Sequence, residues 1–120
     1  MKQLIGLGVI LLLSIACSEV EPEYDLTSTV TLSKNQEFTE VLSTGMSIEG
    51  GYSIVKQATN HSISEIRFVS SPSFETSVQF VYKPQQDFTG NDFVVIKNCI
   101  SAGGSGCNNT EYYKYKFTVK

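Results

Sequence analysis

The stretch Glu111 to Val119 constrains this chain more than any other. Tyr113, Tyr115, Phe117 and Val119 alternate there with Tyr112, Lys114, Lys116 and Thr118. A period of two places one set on each face of an extended strand, so the apolar set faces a core and the lysines face water. A helix would scatter the same residues round its circumference. The period recurs upstream. Thr76 to Lys83 sets Val78, Phe80 and Tyr82 against Ser77, Gln79 and Val81, and Ser28 to Ser33 sets Val30 and Leu32 against Thr29 and Thr31. Shorter strand-like segments cover Glu37 to Leu42, Tyr52 to Gln57 and Ser62 to Val69. Phe93 to Ile100 is a continuous apolar run, the pattern of a strand buried on both faces in mid-sheet. Between them lie the turn-forming stretches Ser43-Thr44-Gly45, Glu49-Gly50-Gly51 and Ser70-Ser71-Pro72-Ser73. No window from Thr27 onward offers the 3.6-residue apolar stripe of a helix. These segments predict an all-β domain of about seven strands, folded as a two-sheet antiparallel β-sandwich.

The first sixteen residues do not belong to that pattern. Met1-Lys2-Gln3 carries one positive side chain, and Leu4 to Ile15 is almost unbroken apolar sequence. A membrane-spanning helix needs roughly 20 residues, and this run is about a dozen. A basic start, a short apolar stretch and a small-residue exit describe a secretory signal. The exit, Ser14-Ile15-Ala16-Cys17, resembles the lipobox of bacterial lipoproteins, with Ser14 where that family usually has Leu. The resemblance implies that Cys17 receives diacylglycerol before cleavage and holds the mature chain on a membrane. Ordinary cleavage near Ala16, leaving Cys17 as a thiol, is the competing reading.

After Cys17 comes Ser18-Glu19-Val20-Glu21-Pro22-Glu23-Tyr24-Asp25, four acids and a proline without apolar periodicity. It reads as a solvated tether. It is also similar to the acidic stretch behind the lipid cysteine that sends Bacteroidetes lipoproteins to the cell surface. The expected organisation is therefore a signal peptide over 1–16, a tether over 17–27 and a domain over 28–120, lipid-anchored in a bacterial outer membrane and facing the cell surface. Without Lys2 the chain keeps eight Lys or Arg against twelve Asp or Glu, and removing the tether acids leaves the domain neutral. Nucleic-acid binding draws on clustered basic residues, so that class of partner is excluded.

The segment Tyr82-Lys83-Pro84-Gln85-Gln86-Asp87-Phe88-Thr89-Gly90-Asn91-Asp92 resembles the Tyr-x-Pro-x-x-x-Phe-x-Gly-x-Asp signature of bacterial Ig-like and cadherin-like domains. The matching positions are Tyr82, Pro84, Phe88, Gly90 and Asp92. The resemblance implies an Ig-like sandwich in which this segment crosses one end of the domain. It also implies a spacer, adhesive or ligand-presenting module rather than an enzyme. The aromatics usual in the following strand are Val94 and Ile96 here, and the strand order of the first half is left open.

Candidate chemistry is sparse. Cys99 and Cys107 remain after Cys17 and flank a glycine-rich loop, so in an exported protein they read as a disulfide. The bridge either shapes a recognition tip or simply tethers a loose hairpin. His61 is the only histidine, and nothing in the sequence sets it beside a cysteine, so a catalytic Cys–His pair and a zinc site are both unsupported. Asp87, Asn91 and Asp92 are too few oxygens for a calcium cage; Asp92 reads instead as an acceptor for turn amides. No metal, cofactor or catalytic set is expected. Tyr112 with Lys114 forms a candidate binding face on an outer strand. The expected function is a non-catalytic, surface-anchored module that binds or spaces at the envelope, with a protein or glycan partner. The alternative is an assembly subunit pairing through an edge strand such as Glu111 to Val119.

Overall fold

The computed structural model describes residues 23–45, 51–70, 72, 76–100, 107 and 109–120. The expectations for the signal peptide, for Cys17 and for most of the tether lie outside the described residues. Seven strands follow one another: β1 (Leu26–Leu32), β2 (Phe38–Gly45), β3 (Gly51–Lys56), β4 (His61–Ser70), β5 (Thr76–Pro84), β6 (Gly90–Ile100) and β7 (Asn109–Val119). They form a four-stranded sheet, β1-β7-β6-β3, and a three-stranded sheet, β2-β5-β4. The domain is an all-β, Ig-like two-sheet sandwich. Relative to the constant-type immunoglobulin arrangement, the first strand has left the β2 sheet and pairs with the last strand instead. That β1–β7 pair is parallel, with Leu26 opposite Tyr113 and Leu32 opposite Val119; the remaining pairs are antiparallel.

One expectation is corrected. Glu111 to Val119 was expected as an edge available for pairing, but β7 lies between β1 and β6. Its polar outer face mimics an edge because an interior antiparallel strand with one wet face shows the same alternation. The edges are β1, β3, β2 and β4. β1 also starts at Leu26, two residues before the expected domain boundary, because Asp25 is already held by the sheet: its N–H donates to the Tyr112 carbonyl (2.8 Å) and its carboxylate accepts the Tyr112 N–H (2.7 Å).

The alternation is realised in the packing. Val78, Phe80 and Tyr82 of β5 and Tyr115, Phe117 and Val119 of β7 are all buried. Tyr82 stacks on Phe117 across the sandwich, ring centroids 3.9 Å apart and nearly parallel. Phe38 of β2 meets Phe117 edge-on at 5.5 Å. These contacts join the two sheets, and each such aromatic pair adds about 1 kcal/mol beyond its area burial.

The register sorts the connections into two ends. β2, β4 and β6 finish at one end, called the upper end here, from which the connections 46–50, 71–75 and 101–108 leave. The connections 33–37, 57–60 and 85–89 occupy the lower end. There Phe88 half-buries beside Gly90, whose φ of 135° and the 3.3 Å between an ideal Cβ and Phe88 Cζ leave room for no side chain. Asn35 and Asp87, both at positive φ, tie two of these connections together through the Asp87 N–H to Asn35 Oδ1 bond of 2.9 Å.

Candidate functional site

The motif residues assemble at the lower end around Asp92, 6% exposed. Its Oδ1 accepts the N–H of Thr59 (2.9 Å) and of Phe93 (3.0 Å). Its Oδ2 accepts the N–H of Asn60 (2.9 Å) and the Tyr82 hydroxyl (3.0 Å). One carboxylate thereby fixes the β3–β4 connection to β6 and to β5. Burial first, and the Asp92 charge second, push the Tyr82 phenol well above its ordinary range. Pro84 is buried beneath the crossing. With both Asp92 oxygens committed to protein donors, Asp87 turns away to Asn35. Among the described residues no cluster of His, Cys, Asp and Glu gathers as a metal site would require.

Above this network a groove of about 490 Å³ opens on the outer face of the four-stranded sheet. The register explains its composition. Thr29, Lys116 and Phe93 lie side by side across β1, β7 and β6, and Thr31, Thr118 and Asn91 form the next row. Thr59 and Asn60, positioned by Asp92, close the groove from the lower end. Lys116 is exposed and Phe93 half-buried. Asp92 is the acid in the lining and is already saturated, so the lining presents cations, hydroxyls, amides and one aromatic ring. That combination suits a ligand with acid groups and hydroxyls.

Of the predicted binding pair, the structure brings Lys114 into this groove. Its Nζ lies over the rings of Phe93 (4.8 Å) and Tyr24 (5.2 Å). Tyr112 is half-buried and outside the groove lining, its backbone engaged by Asp25. The sequence reading missed Thr29, Phe93 and Lys116. The outward lysine row signalled Lys116, whereas Phe93 was hidden inside an apolar run and Thr29 sits on a strand far away in sequence. Cys99 and Cys107 form a disulfide at the upper end. His61 pairs with Pro84 at the lower end, so the histidine and the cysteines occupy opposite ends of the sandwich.

No protein-family model matches the chain, and no curated protein matches it. Among solved structures, it is similar to Amebosin (TM-score 0.54, 14% identity, 79% of this chain and 98% of that one). It is likewise similar to the cysteine protease inhibitor EhICP2 from Entamoeba histolytica (TM-score 0.51, 17% identity, 79% of this chain and 92% of that one). The likeness is one of fold. Both neighbours are covered over nearly their whole length, so the sandwich is shared as a unit.

Proposed function

We propose that this chain is a non-catalytic surface lipoprotein whose sandwich binds an acid-bearing protein or glycan ligand at the cell envelope. The sequence Ser14-Ile15-Ala16-Cys17 supports the anchor. The groove around Lys116, Thr29 and Phe93 carries the binding reading, because its charge and hydroxyl lining sits in a domain that is otherwise neutral. The anchor is tested by intact mass and membrane fractionation in the native host beside Cys17→Ala. An acylated species starting at Cys17, released from the membrane by the substitution, supports it; a soluble, unacylated chain removes it. The groove is tested by titrating the domain with an acidic polysaccharide and an acidic peptide. Lys116→Glu is expected to abolish binding while leaving the thermal midpoint unchanged, and equal binding by both forms sinks the reading.

A second reading is favoured by the fold shared with EhICP2: a protein partner that is a cysteine peptidase, engaged without chemistry by this domain. Its test is residual peptidase activity across a titration with the purified domain, where undiminished activity at equimolar and higher ratios removes it.

A further inference from the structure

We infer that the upper end of the sandwich is a second membrane contact, a lipid-facing surface set against the same bilayer that the lipid anchor enters. This rests on the anchor at Cys17 proposed above.

The geometry starts from where the tether meets the fold. Asp25 is zipped to Tyr112, and β1 runs parallel to β7 from Leu26 opposite Tyr113. The chain therefore approaches the domain from the start of β7, which is the upper end. Tyr112 lies three residues along β7 from Asn109, about 10 Å from the rim at roughly 3.4 Å per residue. Residues 17–24 are all that separates the lipid cysteine from this fixed point. Fully extended they span about 28 Å, and as a flexible coil about 16 Å. The rim is thus held within about 20 Å of the bilayer at the tether's limit and closer on average. The lower end lies the length of β7, about 35 Å, further out along the strand direction.

The surface chemistry of that rim matches its position. Phe68 carries its ring on the same strand face as Ile66, which packs on the core, yet it is 67% exposed. Val69 and Ile100 are also exposed. All three lie within two residues of the strand ends Ser70 and Ile100. The three connections leaving this end contain no Lys or Arg in their sequence. Such a surface has no electrostatic attraction for lipid headgroups, so the gain on contact is apolar burial, and it reinforces the acyl chain as a second signal. The arrangement also turns the groove at Thr59, Asn60 and Lys116, near the lower end, toward the medium.

The chain contains no tryptophan, so one introduced residue reports its own surroundings. Phe68→Trp and Gln86→Trp place a reporter on exposed positions at the upper and lower ends. Each full-length, host-processed protein is checked by intact mass and floated with phosphatidylethanolamine and phosphatidylglycerol vesicles carrying brominated acyl chains. The expected result is a blue shift and strong loss of emission for F68W, with neither for Q86W. An acylated, vesicle-bound F68W that stays unquenched, or equal quenching of both variants, overturns the membrane contact while leaving the anchor standing. A chain without acyl mass that fails to float overturns both.

Discussion

At the scale of single residues, Asp92 carries more of the lower end than any other side chain. Its two oxygens accept three backbone N–H groups and one phenol. Asp92→Ala would leave these donors to find water inside a packed region, and each buried unsatisfied group costs about 1–3 kcal/mol. The expected loss is about 3 kcal/mol in urea denaturation, together with reorganisation of residues 57–60 that carry Thr59 and Asn60 into the groove. A loss below about 1 kcal/mol would mean the connection holds itself. This role was legible beforehand. Asp92 follows a glycine in a turn-rich segment and precedes an apolar strand, a setting in which a carboxylate meets free amides more readily than a cation. Phe93 was not legible. Its neighbours Val94, Val95 and Ile96 conceal that it faces outward, and only the register opposite Lys116 reveals it as part of the groove floor.

The elements themselves follow closely from periodicity, because alternation is a local signal that each strand carries alone. The observed β5, Thr76–Pro84, extends the predicted Thr76 to Lys83 by one residue, and β6 begins three residues before Phe93. Those extra residues are Gly90, Asn91 and Asp92, polar and turn-like in sequence but paired with Val119, Thr118 and Phe117. Pairing overrode propensity there. The β6–β7 hairpin is where an element-scale test is sharpest. Its disulfide closes a loop of sequence separation 8, and the chain-entropy model gives about 2.5 kcal/mol for a loop that short. The paired substitution Cys99→Ser with Cys107→Ser is expected to lower stability by about 2 kcal/mol and leave the sandwich folded, since the core contacts of Phe117 and Ile96 lie well down the same strands. Reductant should move the parent protein by the same amount and the substituted protein not at all. Should reduction unfold the domain outright, the bridge holds the fold and not merely the hairpin.

At the scale of the whole molecule, strand order was the part that local patterns could not supply. A polar outer face marks β7 equally well as an edge or as an interior strand; only the arrival of β1, some ninety residues away in sequence, decides between them. What unites the molecule is the layer of rings between the sheets, and this layer contains two phenols. Tyr82, on the three-stranded sheet, stacks on Phe117 of the other, while Tyr115, on the four-stranded sheet, lies 5.1 Å from Phe80. Burial is the main cause that raises both phenols above their ordinary range, with Asp92 adding to it for Tyr82 and Glu40 for Tyr115. A phenol in the unfolded chain ionises near pH 10. The folded state therefore holds its phenol protons at pH values where the unfolded chain has released them. Stability from these groups is undiminished below about pH 10 and falls as pH rises through the alkaline range toward the folded values. Urea midpoints followed from pH 8 to pH 11 should be level at first and then drop, with nothing from these phenols near neutrality. Tyr82→Phe is expected to start lower, by about 1 kcal/mol for the lost bond to Asp92, and to decline less steeply above pH 10. The two curves should converge as the parent gives up its advantage. Parallel curves would show that the Tyr82 proton is released without opening the sandwich, and that the ring stack on Phe117, not the buried hydroxyl, holds the two sheets together.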